Sequence, residues 1–211
     1  MTIGWNILGI LAWLVIVLYL VFIIQNIRKR HLLMIVRDRK RFTWNTTLID
    51  AVEIIIFFIA TIFMMMLTFF NQPNLNNKNI ISSKVEYEPL IMSTDNKKSY
   101  YVAVTSNNTT APRQNYKFYS NKDKIIVSSN YASISDGSRP MSVAAGAIPY
   151  SKKGLEKADA QYQKAFVAIY TATYKKNWYN GLGLHAGKVA TKYYLIRVPD
   201  QTFCKVYIRK N

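Results

Sequence analysis

One cysteine, Cys204, is all the chain contains, so no intramolecular disulfide can form and no cysteine-based metal site can be built. Secreted eukaryotic domains usually carry disulfides. Their absence, beside heavy use of Lys, Asn, Ile and Tyr, points to a bacterial source. Histidine is nearly as scarce: His31 and His185 are the only two, and a lone His185 in the second half of the chain does not make the usual zinc site. No Gly-Xaa-Ser-Xaa-Gly or Ser-Xaa-Xaa-Lys occurs, so no serine nucleophile has a recognisable setting. Gly181 to Lys188 (GLGLHAGK) resembles a phosphate loop only loosely. Leu182 stands where the first glycine is needed, and Val189 follows the lysine where Ser or Thr is required. No cofactor and no metal are expected. His185 is a candidate general base. Acidic residues are also few, 11 against 28 Lys and Arg, for a net charge of +17 and a pI near 9.9.

In a soluble protein that balance would indicate nucleic acid. Two long apolar runs redirect it toward membranes. Gly4 to Ile24 holds no charged residue, and at 1.5 Å per residue its helix would be about 31 Å long, the thickness of a hydrocarbon core. No small-Xaa-small cleavage site comes after it, so it is expected to remain as a span. The second run, Ala51 to Phe70, is the second leg of a transmembrane hairpin. Between them, Gln25 to Asp50 carries seven cations and two carboxylates, including Arg37, Arg39, Lys40 and Arg41. Short loops rich in Lys and Arg stay cytoplasmic, which places both termini outside. His31 to Val36 is an apolar island in that loop. It either lies in the headgroup plane or extends the spanning helices. Asp50 and Glu53, three apart on one helical face, are expected in the first turn of the second span. There they pair with Arg37 to Arg41 or contact a partner's membrane helix.

Asn71 to Ser83 is a Pro- and Asn-rich linker, and residues 84–211 form an extracytoplasmic domain. Its 20 cations and eight carboxylates leave it near +12, and it holds 14 tyrosines. Lys84 to Met92 and Tyr100 to Thr105 read as strands, with Pro89 pushing the first toward a sheet edge. Tyr116 to Ser128 reads as a hairpin. Ser151 to Tyr179 reads as one long helix, capped by Ser151 and ended by Asn180-Gly181. Val189 to Val198 and Thr202 to Arg209 read as a terminal hairpin. In its last strand Cys204 faces a core, while Lys205, Tyr207 and Arg209 face outward. The expected fold is a membrane-anchored α+β protein: a two-helix transmembrane hairpin (1–70), then an antiparallel sheet packed with one long helix.

The function expected from these features is that of a non-enzymatic cell-envelope membrane protein of a Gram-positive-like bacterium. Its basic, Tyr-rich outer domain would dock on a partner membrane protein or an anionic wall polymer through Lys205, Tyr207, Arg209, Lys188 and His185. Membrane lipid is the other expected partner, and nucleic acid is not. An envelope enzyme using His185, and a membrane sensor, are the alternatives.

Overall fold

The computed structural model describes residues 3–38, 43–95, 98–107, 114–121, 123–136 and 143–209. In chain order the elements are α1 (Ile3–Asp38), α2 (Trp44–Phe69), β1 (Ile81–Ile91), β2 (Ser93–Asp95), β3 (Lys98–Tyr100), β4 (Val102–Asn107), β5 (Gln114–Ser120), β6 (Asp123–Ser128), β7 (Ala132–Ser135), α3 (Val143–Gly146), α4 (Lys152–Gln161), β8 (Phe166–Tyr174), α5 (Trp178–Leu182), β9 (Val189–Arg197), a 3-10 turn (Gln201–Phe203) and β10 (Cys204–Arg209). They form two compact units. One is Met1–Asn74 with Tyr174–Lys188; the other is Leu75–Thr173 with Val189–Asn211.

In the first unit, α1 and α2 are both long and apolar enough to cross a membrane. Their apolar side chains are largely exposed, as in Val15, Leu18, Ile59 and Phe63. A helix that is apolar on nearly all sides needs an apolar surrounding. The 36 residues of α1 would extend about 54 Å, well beyond one hydrocarbon core. α1 runs unbroken through His31 to Val36, so that stretch extends the helix rather than forming a separate interfacial element. α2 begins at Trp44, seven residues before the apolar run. Asp50 and Glu53 therefore lie in its second and third turns, not its first.

The second unit is built on a mixed sheet in the order β10-β4-β5-β1-β8-β9-β7, with β6 paired to β5 and a separate β2–β3 ribbon. The β5–β6 hairpin matches the expected one, turning at Asn121 with φ 45°. Three other expectations are corrected. The sheet is not antiparallel throughout, because β10 runs parallel to β4 and β7 parallel to β9. β9 and β10 are not hairpin partners, because Asp200 caps the 3-10 turn and the chain crosses to the opposite end of the sheet. β1 is interior despite Pro89. Its pairing with β5 starts at Leu90, just after the residue that has no N–H to donate.

The fourth correction concerns the long helix. Ser151 does cap α4, its hydroxyl accepting from the Gly154 amide at 3.3 Å. The helix then stops at Gln161, with Gln163 and Lys164 both at positive φ (51° and 62°). The chain continues as strand β8, buried on both faces. Val167 and Ile169 enter the core beside Val102, Val104, Phe118, Ile196 and Val198, a cluster that joins strands from both halves of the curled sheet. Phe166 and Tyr170 face the other way, Phe166 onto the Tyr87 and Tyr162 rings and Tyr170 onto Tyr150. α4 is fixed to this second layer by Arg197, which donates from Nε to Asp159 at 3.1 Å and from a terminal nitrogen to Ser135 at 2.9 Å. Burial raises the Tyr150 pKa well above the ordinary phenol value. Its hydroxyl lies 3.4 Å from the Tyr193 carbonyl.

Candidate functional site

Strand alternation sets a basic and aromatic face on β10, β4, β5 and β6. Cys204, Val104, Phe118 and Ile125 turn toward the core, so their neighbours Lys205, Lys117 and Lys124 turn away from it. Register lines them up: Lys205 pairs with Ala103, Ala103 with Lys117, and Tyr119 with Lys124. Lys205 and Lys117 thus lie two strands apart, about 10 Å. The Lys205 ammonium sits 4.8 Å from the Tyr207 ring and 5.5 Å from the Tyr100 ring, and it hydrogen-bonds the Asp95 carboxylate. That hydrogen bond, then one with the Tyr207 hydroxyl, holds the Lys205 pKa above its usual range. Lys117 lies 5.8 Å from the Tyr119 ring, and on β9 Lys192 lies 5.2 Å from the Tyr194 ring. β10 and β5 carry Lys-Xaa-Tyr on this outward face, whereas on β9 the same spacing falls on the core side, where Tyr194 packs edge-on against Phe118. Counting lysines and tyrosines along the sequence does not reveal this repeat.

The remaining predicted binding residues, His185 and Lys188, fall in the other unit, within the excursion Tyr174–Lys188. The excursion is closed at its base by Tyr174 N–H to Lys188 C=O and Gly187 N–H to Tyr174 C=O, both 2.9 Å. Buried Asn180 shapes its interior: its side-chain nitrogen donates to Lys175 C=O at 2.8 Å, and its own carbonyl accepts from His185 and Ala186. The loop packs against the start of α1 and the end of α2. Asn6 and Ala186 exchange two hydrogen bonds, and Gly9 meets the backbone of Gly181 and Leu182. His185 stacks on Tyr174 with ring centroids 5.0 Å apart, and it reaches the backbone of Leu67 and Thr68. Its Nε2 is buried without a hydrogen-bond partner among the described residues. Burial, then the Lys188 charge, lowers its pKa. Sequence reasoning missed Asn6, Gly9 and Asn180. The available signal was a lone amide and a glycine one turn apart in an otherwise apolar run.

At the other end of the hairpin, Asp50 and Glu53 turn toward α1. Asp50, 7% exposed, lies 3.0 Å from His31 Nε2 and 3.3 Å from the Arg30 guanidinium. Glu53 pairs with Arg30 and accepts from Asn26 at 3.1 Å. The pairing expected with Arg37 to Arg41 falls on side chains outside the described residues; among the described residues both acids pair with the facing helix. An early start of α2 puts both acids level with Asn26 to His31. Arg39, Lys40 and Arg41 lie outside the described residues, as do the side chains of Arg37 and Arg209.

Among the described residues, no group of three or more His, Cys, Asp and Glu is placed to hold a metal ion. No curated protein and no solved structure matches the chain. A family model whose description assigns no function matches residues 4–205. That match spans nearly all of the 211 residues, and the chain belongs to this family of unknown function.

Proposed function

We propose that the protein is a non-enzymatic, membrane-anchored docking protein of a bacterial cell envelope, whose sheet domain binds an anionic envelope polymer. In this reading α1 and α2 span the membrane, the basic loop between them is cytoplasmic, and both termini and the sheet domain are extracytoplasmic. The observation that carries the reading is the register of Lys205 and Lys117 across β4, each ammonium held against a tyrosine ring. A row of cations two strands apart, interleaved with flat rings, suits a chain of repeated anionic groups, as in a teichoic acid. The position of His185 supports the non-enzymatic side. Its ring is occupied by packing on Tyr174 and on the end of α2.

The test uses the full chain in nanodiscs of zwitterionic lipid and a poly(glycerol phosphate) probe. Binding should be measurable at low salt and should weaken steeply as salt rises, because exposed charges screen over about 8 Å at physiological ionic strength. Lys117→Ala and Lys124→Ala should each weaken it. No binding at low salt, or binding indifferent to both substitutions, overturns the polymer reading. A membrane protein that co-purifies in stoichiometric amount with the full chain would replace the polymer as the partner.

A further inference from the structure

The excursion Tyr174–Lys188 belongs to the same compact unit as α1 and α2, and the two helices set its level. At the ends that the loop joins, Glu53 of α2 binds Asn26 and Arg30 of α1. Toward the far ends, Trp13 Nε1 donates to the Thr68 hydroxyl at 3.3 Å, so Thr68 stands level with Trp13. Arg28 and Lys29 are exposed on α1. They set the hydrocarbon boundary on the loop side, because exposed cations within hydrocarbon are costly. A hydrocarbon core takes about 20 helical residues, and that count from Ile27 toward the start of α1 reaches Leu8. The excursion packs at this level. Gly181 meets the Trp5 backbone just outside it, Leu182 meets Gly9 just inside it, and Gly183 meets the Leu67 backbone on α2. The excursion therefore straddles the far boundary of the hydrocarbon that the two helices require.

Its surface chemistry suits that boundary. Trp178 is 63% exposed, and Phe69 and Phe70 at the end of α2 are each 71% exposed. Trp178 stands one helical turn before Gly181, on the face that α5 turns toward Trp5. Its indole lies edge-on to the Tyr179 ring, with centroids 5.9 Å apart. Trp and Tyr concentrate at membrane interfaces, where an apolar ring and a polar tip can each meet their own phase. Lys175 and Lys176, both exposed, lie just before this pair, and residues 174–188 include three lysines and no carboxylate. Cations at a membrane surface attract anionic headgroups. We propose that the excursion is an interfacial anchor. Trp178, Phe69 and Phe70 seat among the headgroups of the leaflet away from the loop, and Lys175 and Lys176 bind the phosphates of anionic phospholipid there. The inference rests on the reading of α1 and α2 as membrane spans and is independent of polymer binding by the sheet.

The chain has four tryptophans, so the emission of wild type minus that of Trp178→Phe isolates Trp178. Trp178 is exposed, and its replacement opens no cavity. The experiment uses the full chain in nanodiscs, with lipid brominated near the carbonyl ends of its chains as one quencher and aqueous acrylamide as the other. The Trp178 emission should be quenched several-fold by the brominated lipid and shielded several-fold from acrylamide. Exchanging phosphatidylcholine for phosphatidylglycerol should deepen the lipid quenching, and Lys175→Gln with Lys176→Gln should remove that gain. The proposal is overturned if acrylamide reaches Trp178 as freely as it reaches tryptophan in solution. It is equally overturned if Trp178 escapes both quenchers, as a ring covered by a partner protein would, or if the lysine variant keeps the lipid preference. Trp13 on α1 is the control. Lipid quenching of the emission left in Trp178→Phe, without quenching of Trp178, sinks the anchor alone; quenching of neither sinks the spans with it.

Discussion

Asn6 and Ala186, 180 residues apart, are joined by two hydrogen bonds: Asn6 Nδ2 donates to the Ala186 carbonyl at 3.1 Å, and the Ala186 amide donates to Asn6 Oδ1 at 3.0 Å. Asn6→Ala removes both and leaves the Ala186 amide with only its longer, 3.2 Å bond to the Asn180 carbonyl. Each lost buried bond costs about 1–3 kcal/mol. The expected result is a lower unfolding temperature of the detergent-solubilised protein, with Asn6→Asp intermediate because the acceptor survives. Equal stability of Asn6→Ala and wild type would show that the contact contributes nothing.

Gly9 is a close approach of α1 to the excursion. A Cβ there would lie 2.7 Å from both the Gly181 and Leu182 carbonyl oxygens. Gly4, on the same helix, has nothing within 4 Å of the equivalent point. Alanine is favoured over glycine in a helix by about 1 kcal/mol. Gly4→Ala should therefore be neutral or stabilising. Gly9→Ala should destabilise by about 1–3 kcal/mol through overpacking, against its own propensity gain. Parallel thermal melts of the two variants check the sign of each.

Arg30 links two carboxylates on the facing helix, Asp50 and Glu53. Removing a partner from a fully buried pair costs about 3–5 kcal/mol, because the charge left behind is uncompensated. The part-exposed Arg30 and Glu53 place this site below that figure. Arg30→Met should separate the ends of the two helices that the loop joins, seen as faster proteolysis of the loop in nanodiscs. Arg30→Lys should restore only part of the protection, since an ammonium cannot bridge both acids as the guanidinium fork does.

His185 gives the excursion a pH dependence of definite sign. Its folded pKa lies below the ordinary 6.5, chiefly from burial and then from Lys188. The unfolded chain therefore takes up the proton first. The contribution of His185 is complete above 6.5 and is lost as the pH falls through the lowered folded value. The hydrogen-exchange protection factors of Asn180 to Lys188, referred to the intrinsic rate at each pH, should fall between neutral and mildly acid pH. His185→Phe, which keeps the stack on Tyr174, should flatten that dependence.

The two apolar runs and their spacing were plain in the sequence because an uncharged stretch of 21 residues has few other readings. The β5–β6 hairpin was legible for a similar reason, since Asn121 at its turn tolerates a left-handed conformation. Strand β8 was not. Phe166 to Tyr174 is buried on both faces, so it lacks the period-two pattern and its alanines mimic a helix. The stop signal before it is the pair Gln163–Lys164 at positive φ, residue types that give no such warning. The basic face was half visible. Alternation on β10 placed Lys205 and Tyr207 together, but the parallel pairing that brings Lys117 into their row depends on a crossover no local pattern encodes.

The Asn6–Ala186 contact also has a timetable. During synthesis Asn6 is made 180 residues before its partner. At about 5–20 residues per second, the helical pair waits roughly 10–40 s for the segment that covers Trp5 and Gly9. For that interval the end of α1 stands without the segment that later packs on it. A chaperone or an early-binding partner would find it available only then.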